Sequence, residues 1–199
     1  MIALIDYKAG NLTSVRKALA AVGADVFTPE TPGELADARG IIVPGVGHFG
    51  ATRTLDASWT DAILDRVGNG RPLLGICLGM QWLFESSEEA PDCPGLGLFG
   101  GRCYRLSGAP GVKIPHVGWN SLDKARDAAI TEGVPDQAQV YFTHSFAAPI
   151  TAETVTATEH GQRFASVVQR GQVAGVQFHP EKSGEVGLQI LRNFLASAA

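Results

Sequence analysis

Cys77 stands in Gly75-Ile76-Cys77-Leu78-Gly79, with glycine two residues before it and two after. The apolar run Leu73–Cys77 leads into the motif, and Met80-Gln81 follows it. A strand that turns sharply into a helix and carries a nucleophile at the turn has this pattern, here with cysteine in place of serine. Side chains at the flanking positions would collide in so sharp a turn, which gives glycine a physical reason at both. At a helix N-terminus the dipole favours the thiolate, the reactive form. The N–H of Leu78, just after the cysteine, is then free to meet a developing oxyanion. The competing reading is a buried, inert cysteine beside a glycine-rich turn.

A thiol nucleophile needs a base. In Gln177-Phe178-His179-Pro180-Glu181, the proline biases His179 towards an extended conformation. Residues two apart in an extended segment face the same side. Glu181 can then hold one imidazole nitrogen while the other meets a thiol, which is the base-and-orienter arrangement of a triad. A histidine near a strand end also serves as a structural hydrogen-bonding residue, so the motif gains its meaning from Cys77. A third motif, Pro44-Gly45-Val46-Gly47-His48-Phe49-Gly50, follows another apolar run. Its turn can supply a second oxyanion N–H, from Val46 or Gly47. A phosphate-binding loop is the alternative, but neither the Gly-Lys-Ser/Thr of a P-loop nor the dinucleotide-binding glycine spacing is present.

These residues need a scaffold. Ile2–Asp6, Ile41–Pro44 and Leu73–Cys77 read as buried strands, with a weaker strand near Asp25–Thr28. Between them Leu12, Val15, Leu19 and Val22 recur at helical spacing, with Gly23 as a stop. Ile63, Leu64 and Val67 suggest a helix ending near Gly68, and Met80, Leu83 and Phe84 suggest another. After the Gly/Pro-rich stretch Pro91–Gly101, strands crowd together at Arg102–Leu106, Gln139–Thr143, Thr154–Thr158, Phe164–Gln169 and Val173–Phe178. Leu188, Leu191 and Leu195 give a closing amphipathic helix. The expected fold is α/β with three layers. It has a mostly parallel central sheet with helices on both faces, and additional antiparallel strands in the second half. At 199 residues the chain suits a single domain spanning 1–199.

The bulk numbers narrow the field. A net charge of −4 without a Lys/Arg run argues against nucleic acid as partner. No apolar run is long enough to span a membrane. The N-terminus lacks the basic start and apolar stretch of a signal peptide. Three cysteines (Cys77, Cys93, Cys103), an odd number without CxxC spacing, argue against a disulfide framework or structural zinc, and the expectation is a reducing cytoplasm. The five histidines show no paired ligand spacing, so no metal and no cofactor is expected.

In their order along the chain, Pro-Gly-Val-Gly-His-Phe-Gly, Gly-Ile-Cys-Leu-Gly-Met-Gln and Gln-Phe-His-Pro-Glu-Lys resemble the motifs of class I glutamine amidotransferases. The finer similarity is to the branch that forms the glutaminase subunit of imidazole glycerol phosphate synthase. It rests on Asp6–Asn11, Pro44–Gly50 and Pro115-His116-Val117-Gly118-Trp119-Asn120. Lys8 and Val117 depart from it, standing where that branch usually has Gly and often has Met. The resemblance implies a Cys77–His179–Glu181 triad that hydrolyses L-glutamine to glutamate and ammonia through a thioester. It also implies substrate contacts from Gln81, Glu89, His144 and Ser145. Glu89 would take the substrate's α-ammonium, although Glu85, Glu88 and Glu89 also fit a solvated helix face. Finally, it implies a heterodimer with a (β/α)₈-barrel cyclase that uses the ammonia in histidine biosynthesis. Trp119 would stand at that interface, with Asn11 and Lys182 as further contacts, and core packing is the alternative for Trp119.

Two other activities compete. An α/β-hydrolase with a cysteine nucleophile also fits the turn, but places its acid between nucleophile and histidine, whereas Glu181 follows His179. A glutaminase serving another ammonia-consuming synthase is the nearer alternative, and the Trp119 motif argues against it.

Overall fold

The structure, a computed structural model, describes residues 1–10, 12–108 and 110–199. Its first half lays down β1 (Ile2–Leu4), α1 (Leu12–Ala21), β2 (Val26–Phe27), β3 (Gly40–Gly45), α2 (Ala57–Gly68), β4 (Leu73–Cys77) and α3 (Leu78–Trp82). Then come β5 (Phe84–Ser87), β6 (Phe99–Arg105), β7 (His116–Ser121), β8 (Asp123–Lys124), β9 (Gln139–His144) and β10 (Phe146–Ala147). The chain closes with β11 (Thr154–Glu159), β12 (Arg163–Arg170), β13 (Val173–Val176) and α4 (Gly184–Ser197).

The main sheet has eight strands in the order β2-β1-β3-β4-β13-β12-β11-β8. The pairs from β2 to β13 are parallel, and those from β13 to β8 are antiparallel. This is the expected α/β architecture with antiparallel strands added late in the chain. Alternate residues of the buried strands enter two cores, as a period of two requires. Leu4, Ile42, Leu74 and Ile76 pack under α1 and α4 with Leu19, Ile190, Leu191 and Phe194. Ile5, Ile41, Val43 and Leu73 face the opposite side, with Ile63 of α2 and with Met80 and Trp82 of α3. Asp56 caps α2 by accepting from the N–H groups of Ser58 and Trp59, which satisfies two donors that the helix itself leaves unpaired.

Three departures from the sequence-based expectation bear on the site, beside the unexpected short strands β8 and β10 and the earlier start of β6 at Phe99. The helix after Cys77 stops at Trp82, and Phe84 starts a strand instead of a further turn. Leu83 and Phe84 are fully buried, so burial put both apolar residues inside the core without a helix to carry them. The second is β7, which pairs antiparallel with β9 and sets Trp119 opposite Tyr141. Its apolar residues Val117 and Trp119 point outward at 57% exposure, so a strand sought by its buried side shows little pattern there. The third is the segment after His179. His179 itself is extended (φ −99°, ψ 99°), but Pro180–Lys182 forms a turn of 3₁₀-helix rather than continuing the strand.

Candidate active site

Parallel register assembles the site at the carboxyl ends of the strands, where open α/β sheets place their ligands. Gly45 of β3 pairs with Cys77 of β4, and Val176 of β13 pairs with Ile76. Cys77 therefore leaves the sheet between Gly45 on one side and Gln177 on the other. Its backbone has φ +54° and ψ −107°, left-handed territory that a residue with a Cβ occupies only where the surroundings enforce it. The enforcement is visible at the flanking glycines. A Cβ on Gly75 would lie 2.6 Å from the Gly79 carbonyl oxygen, and one on Gly79 would overlap the Val43 carbonyl oxygen. The turn is thus pressed against itself and against β3.

His179 is buried beside Cys77. Its Nδ1 is 2.8 Å from Glu181 Oε1, and both side chains are almost wholly inaccessible. The 3₁₀ turn brings Glu181 back under the ring. It is held by Ser183, whose hydroxyl donates to the His179 carbonyl (2.7 Å) and accepts from Tyr141 N–H (3.0 Å). Nε2 of His179 is buried with no well-aligned hydrogen-bond partner. Burial pulls the imidazole pKa down, but the Cys77 thiol and the Glu181 carboxylate outweigh it and push it up to about 10. The ring is therefore an imidazolium at neutral pH, with one N–H on a carboxylate and the other end at a sulfur.

A cavity of about 290 Å³ opens onto Cys77, lined by Gly47, Leu78, Gln81, Glu89, Thr143, His144 and Ser145, among others. The four positions that the family resemblance implies as substrate contacts, Gln81, Glu89, His144 and Ser145, all reach it. Glu89 belongs to no helix face: its Oε2 accepts from Phe49 N–H at 2.7 Å. Glu85 and Glu88 turn elsewhere, to Gly101 and Arg105 N–H. Gln81 spends both amide hydrogens within the protein, on the Phe146 carbonyl (2.8 Å) and on Gln177 Oε1 (3.1 Å).

His144 is equally committed. Its Nδ1 lies 2.8 Å from the Phe146 carbonyl, which only accepts, so Nδ1 carries the proton. Its Nε2 then accepts from His116 Nδ1 at 3.0 Å, and His116 Nε2 in turn accepts from Asn120 Nδ2 at 3.3 Å. One carbonyl thus fixes two tautomers. Burial, assisted by His160 stacked 3.9 Å from His116, lowers the His116 pKa to about 4. Burial lowers His144 to about 3, although the bond to the Phe146 carbonyl opposes it. Both rings are neutral at physiological pH.

Of the oxyanion candidates, Leu78 opens α3, where a helix's first N–H groups have no partner within the helix. Gly47 lines the cavity at φ +97°. Val46 is occupied elsewhere in this structure: its N–H donates to the Ala9 carbonyl at 3.1 Å. With only five residues, α3 also offers less dipole than the sequence suggested.

On the surface nearby, Trp119 is 57% exposed, which removes the core reading. It meets Tyr141 edge to face (6.1 Å), and Lys182 Nζ lies 5.7 Å over the same Tyr141 ring. The two described positions expected at an interface thus form one patch through Tyr141, a residue nothing in the sequence marks. Asn11 lies outside the described residues.

A strained cysteine at a strand–helix turn, a buried His–Glu pair and this sheet order define a class, and the sequence agrees: it matches class-I glutamine amidotransferases over residues 3–198, and the chain belongs to that family. Within the family, it is 49% identical to the imidazole glycerol phosphate synthase subunit HisH of Halobacterium salinarum, over 98% of this chain and 92% of that protein. The HisH subunit of Thermococcus kodakarensis is 44% identical, over 98% of each. The chloroplastic imidazole glycerol phosphate synthase hisHF of Arabidopsis thaliana is 42% identical over 98% of this chain, which spans 34% of that longer protein. Among solved structures, a glutamine amidotransferase superposes with a TM-score of 0.77 at 20% identity, covering 100% of this chain and 99% of that one. PurLQS of Thermotoga maritima gives 0.76 at 20% identity, covering 98% and 97%. At that identity the likeness speaks for the fold alone.

Proposed function

We propose that this chain, acting as one domain, is the glutaminase subunit of an imidazole glycerol phosphate synthase. It hydrolyses glutamine and passes ammonia to a cyclase barrel, a heterodimer working in the cytoplasm. The observation that carries the chemistry is the cluster at the strand ends: a strained Cys77 facing a cavity, beside a buried His179 held by Glu181. The extended similarity to HisH subunits supports the particular synthase, and the hisHF protein supports a partner of the cyclase kind.

In this reading the Cys77 thiolate attacks the carboxamide carbon of glutamine. The oxyanion is met by the N–H of Leu78 and by the Gly47 turn. The His179 imidazolium gives its proton to the departing nitrogen, the C–N bond breaks and ammonia leaves. The neutral imidazole then takes a proton from water, which attacks the thioester. Collapse expels the thiolate, releases glutamate and restores the ion pair. Glu181 fixes the ring and stabilises its charge throughout. Glu89 suits the substrate's α-ammonium, and Gln81 and the His144-Ser145 segment shape the pocket. The Trp119–Tyr141–Lys182 patch is the partner-facing surface, where aromatic anchors carry much of the binding energy.

The test is glutamate production from glutamine by the purified chain, with and without the cyclase subunit and its nucleotide ligand. The expected result is a sharp rise with partner and ligand, lost in Cys77→Ser with partner affinity intact. A folded pair that releases no glutamate overturns the reading.

A further inference from the structure

Gln177 is separated from Cys77 by a hundred residues, and only the parallel pairing of β13 with β4 makes them neighbours. It is fully buried. Its Nε2 donates to Cys77 Sγ at 3.6 Å. The orientation of that amide follows from hydrogen-bond logic. The Phe146 carbonyl accepts only, so the Gln81 atom at 2.8 Å from it is the amide nitrogen. That nitrogen's second hydrogen points at Gln177 3.1 Å away, which must present its oxygen. The Gln177 nitrogen is thereby turned to the sulfur. The Thr143 carbonyl lies on the sulfur at 4.0 Å and suits the protonated thiol, whereas the Gln177 N–H is a neutral donor suited to the unprotonated form.

We propose that Gln177 is a further catalytic residue, whose side-chain N–H holds the Cys77 sulfur as a thiolate and aims it at the cavity. The proposal rests on Cys77 being the nucleophile. A buried anion needs hydrogen-bond donors, and a donor bond to a charged sulfur is much stronger than one to a neutral sulfur. The five-residue α3 leaves that need only partly met. A neutral amide also keeps its proton, so it supports the thiolate without competing with His179 for the transfer to ammonia. Its hold weakens as the C–S bond forms and the sulfur loses charge. It returns when the thioester collapses and the thiolate leaves.

The test is the pH dependence of iodoacetamide alkylation, followed on the Cys77 peptide by mass spectrometry so that Cys93 and Cys103 do not contribute. Gln177→Met fills the space without donating. Gln177→Glu keeps an acceptor for Gln81 and turns a carboxylate to the sulfur. With Gln177→Met the midpoint moves to higher pH, and the rate on the rising limb of the profile falls about tenfold at a given pH, as expected for one hydrogen bond to a charged group. The high-pH plateau stays at the wild-type value. Gln177→Glu moves the midpoint further. A midpoint equal to wild type, or an equal loss at every pH, overturns the proposal. Should the variants not fold, the unaltered protein answers: the Gln177 side-chain amide proton resonance follows the thiol titration, and does not in Cys77→Ser. An amide signal that ignores the thiol overturns it. Alkylation involves no glutamine, so the two readings fail separately. An unshifted midpoint in an active enzyme removes Gln177 alone. A shifted midpoint in a pair that releases no glutamate removes Cys77 as nucleophile, and the catalytic role of Gln177 with it.

Discussion

His179 beside Cys77 and the bonded pair His144–His116 at the cavity are all buried, yet their pKa values move in opposite directions. His179 has a carboxylate on Nδ1 and the Cys77 sulfur beside it, and its pKa climbs to about 10. His144 and His116 have each other, a carbonyl and an amide, and fall to about 3 and about 4. Desolvation disfavours the imidazolium in all three. Only His179 has anionic partners to repay it. Burial alone therefore says nothing about the charge of a histidine: the partner on each ring nitrogen decides it. His179 thus holds a proton that the proposed mechanism can spend, whereas His144, with His116 bonded behind it, gives the cavity a neutral wall of fixed tautomer.

The largest break in that comparison removes His179. His179→Asn is expected to lower glutamine turnover with the partner by about 10²- to 10⁴-fold, the usual contribution of a positioned acid–base group. Glu181→Gln keeps the ring and removes its anion. Its loss should be about one to two orders of magnitude smaller, as an orienter is less critical than the base. The His179 pKa, read from the imidazole resonances, should fall in the same variant.

Stability against pH separates the two sets by sign. A raised pKa means the folded chain holds a proton that the unfolded chain releases near 6.5, so His179 contributes fully below about pH 6.5, and its contribution is lost as pH rises towards 10. The melting temperature should drop over that range, and the drop should flatten in His179→Asn, by about 2–4 °C for each kcal/mol removed. His144 works the other way. Its contribution is present above pH 6.5 and is lost as the pH falls towards 3, so His144→Gln should flatten the acid side of the same curve. The smallest effect sharpens the comparison. Asn120→Asp offers His116 Nε2 a carboxylate as Glu181 offers one to His179. The His116 pKa should rise from about 4 by about one unit, read by NMR.

Much of this was legible in the sequence where local pattern and burial agree. Leu73–Cys77 is a strand with both ends as read, because five consecutive apolar or small residues before a glycine turn have few alternatives. The His179–Glu181 contact was legible too, but for another geometric reason: the turn after Pro180, not an extended segment, closes it. Gln177 beside Cys77 and Glu89 on the Phe49 N–H were not legible, because strand register and loop return create them across distance. The commitment of Val46 to Ala9 was equally hidden, since a main-chain bond leaves no trace in residue type. Trp119 was open in the sequence between an interface and the core, since tryptophan suits both, and only its 57% exposure removes the core.

The two glycines around Cys77 have a mechanical consequence. With Gly75 against Gly79 and Gly79 against the Val43 carbonyl, the joint runs with no clearance, not even for a methyl group. A joint of that kind transmits displacement without play. Strand β3 cannot slide without carrying the sulfur along, and the turn at Gly45–Gly47 rides on the same strand. Cys77 and the turn beside it are therefore machined as one part, and their relative alignment survives any motion that moves them together.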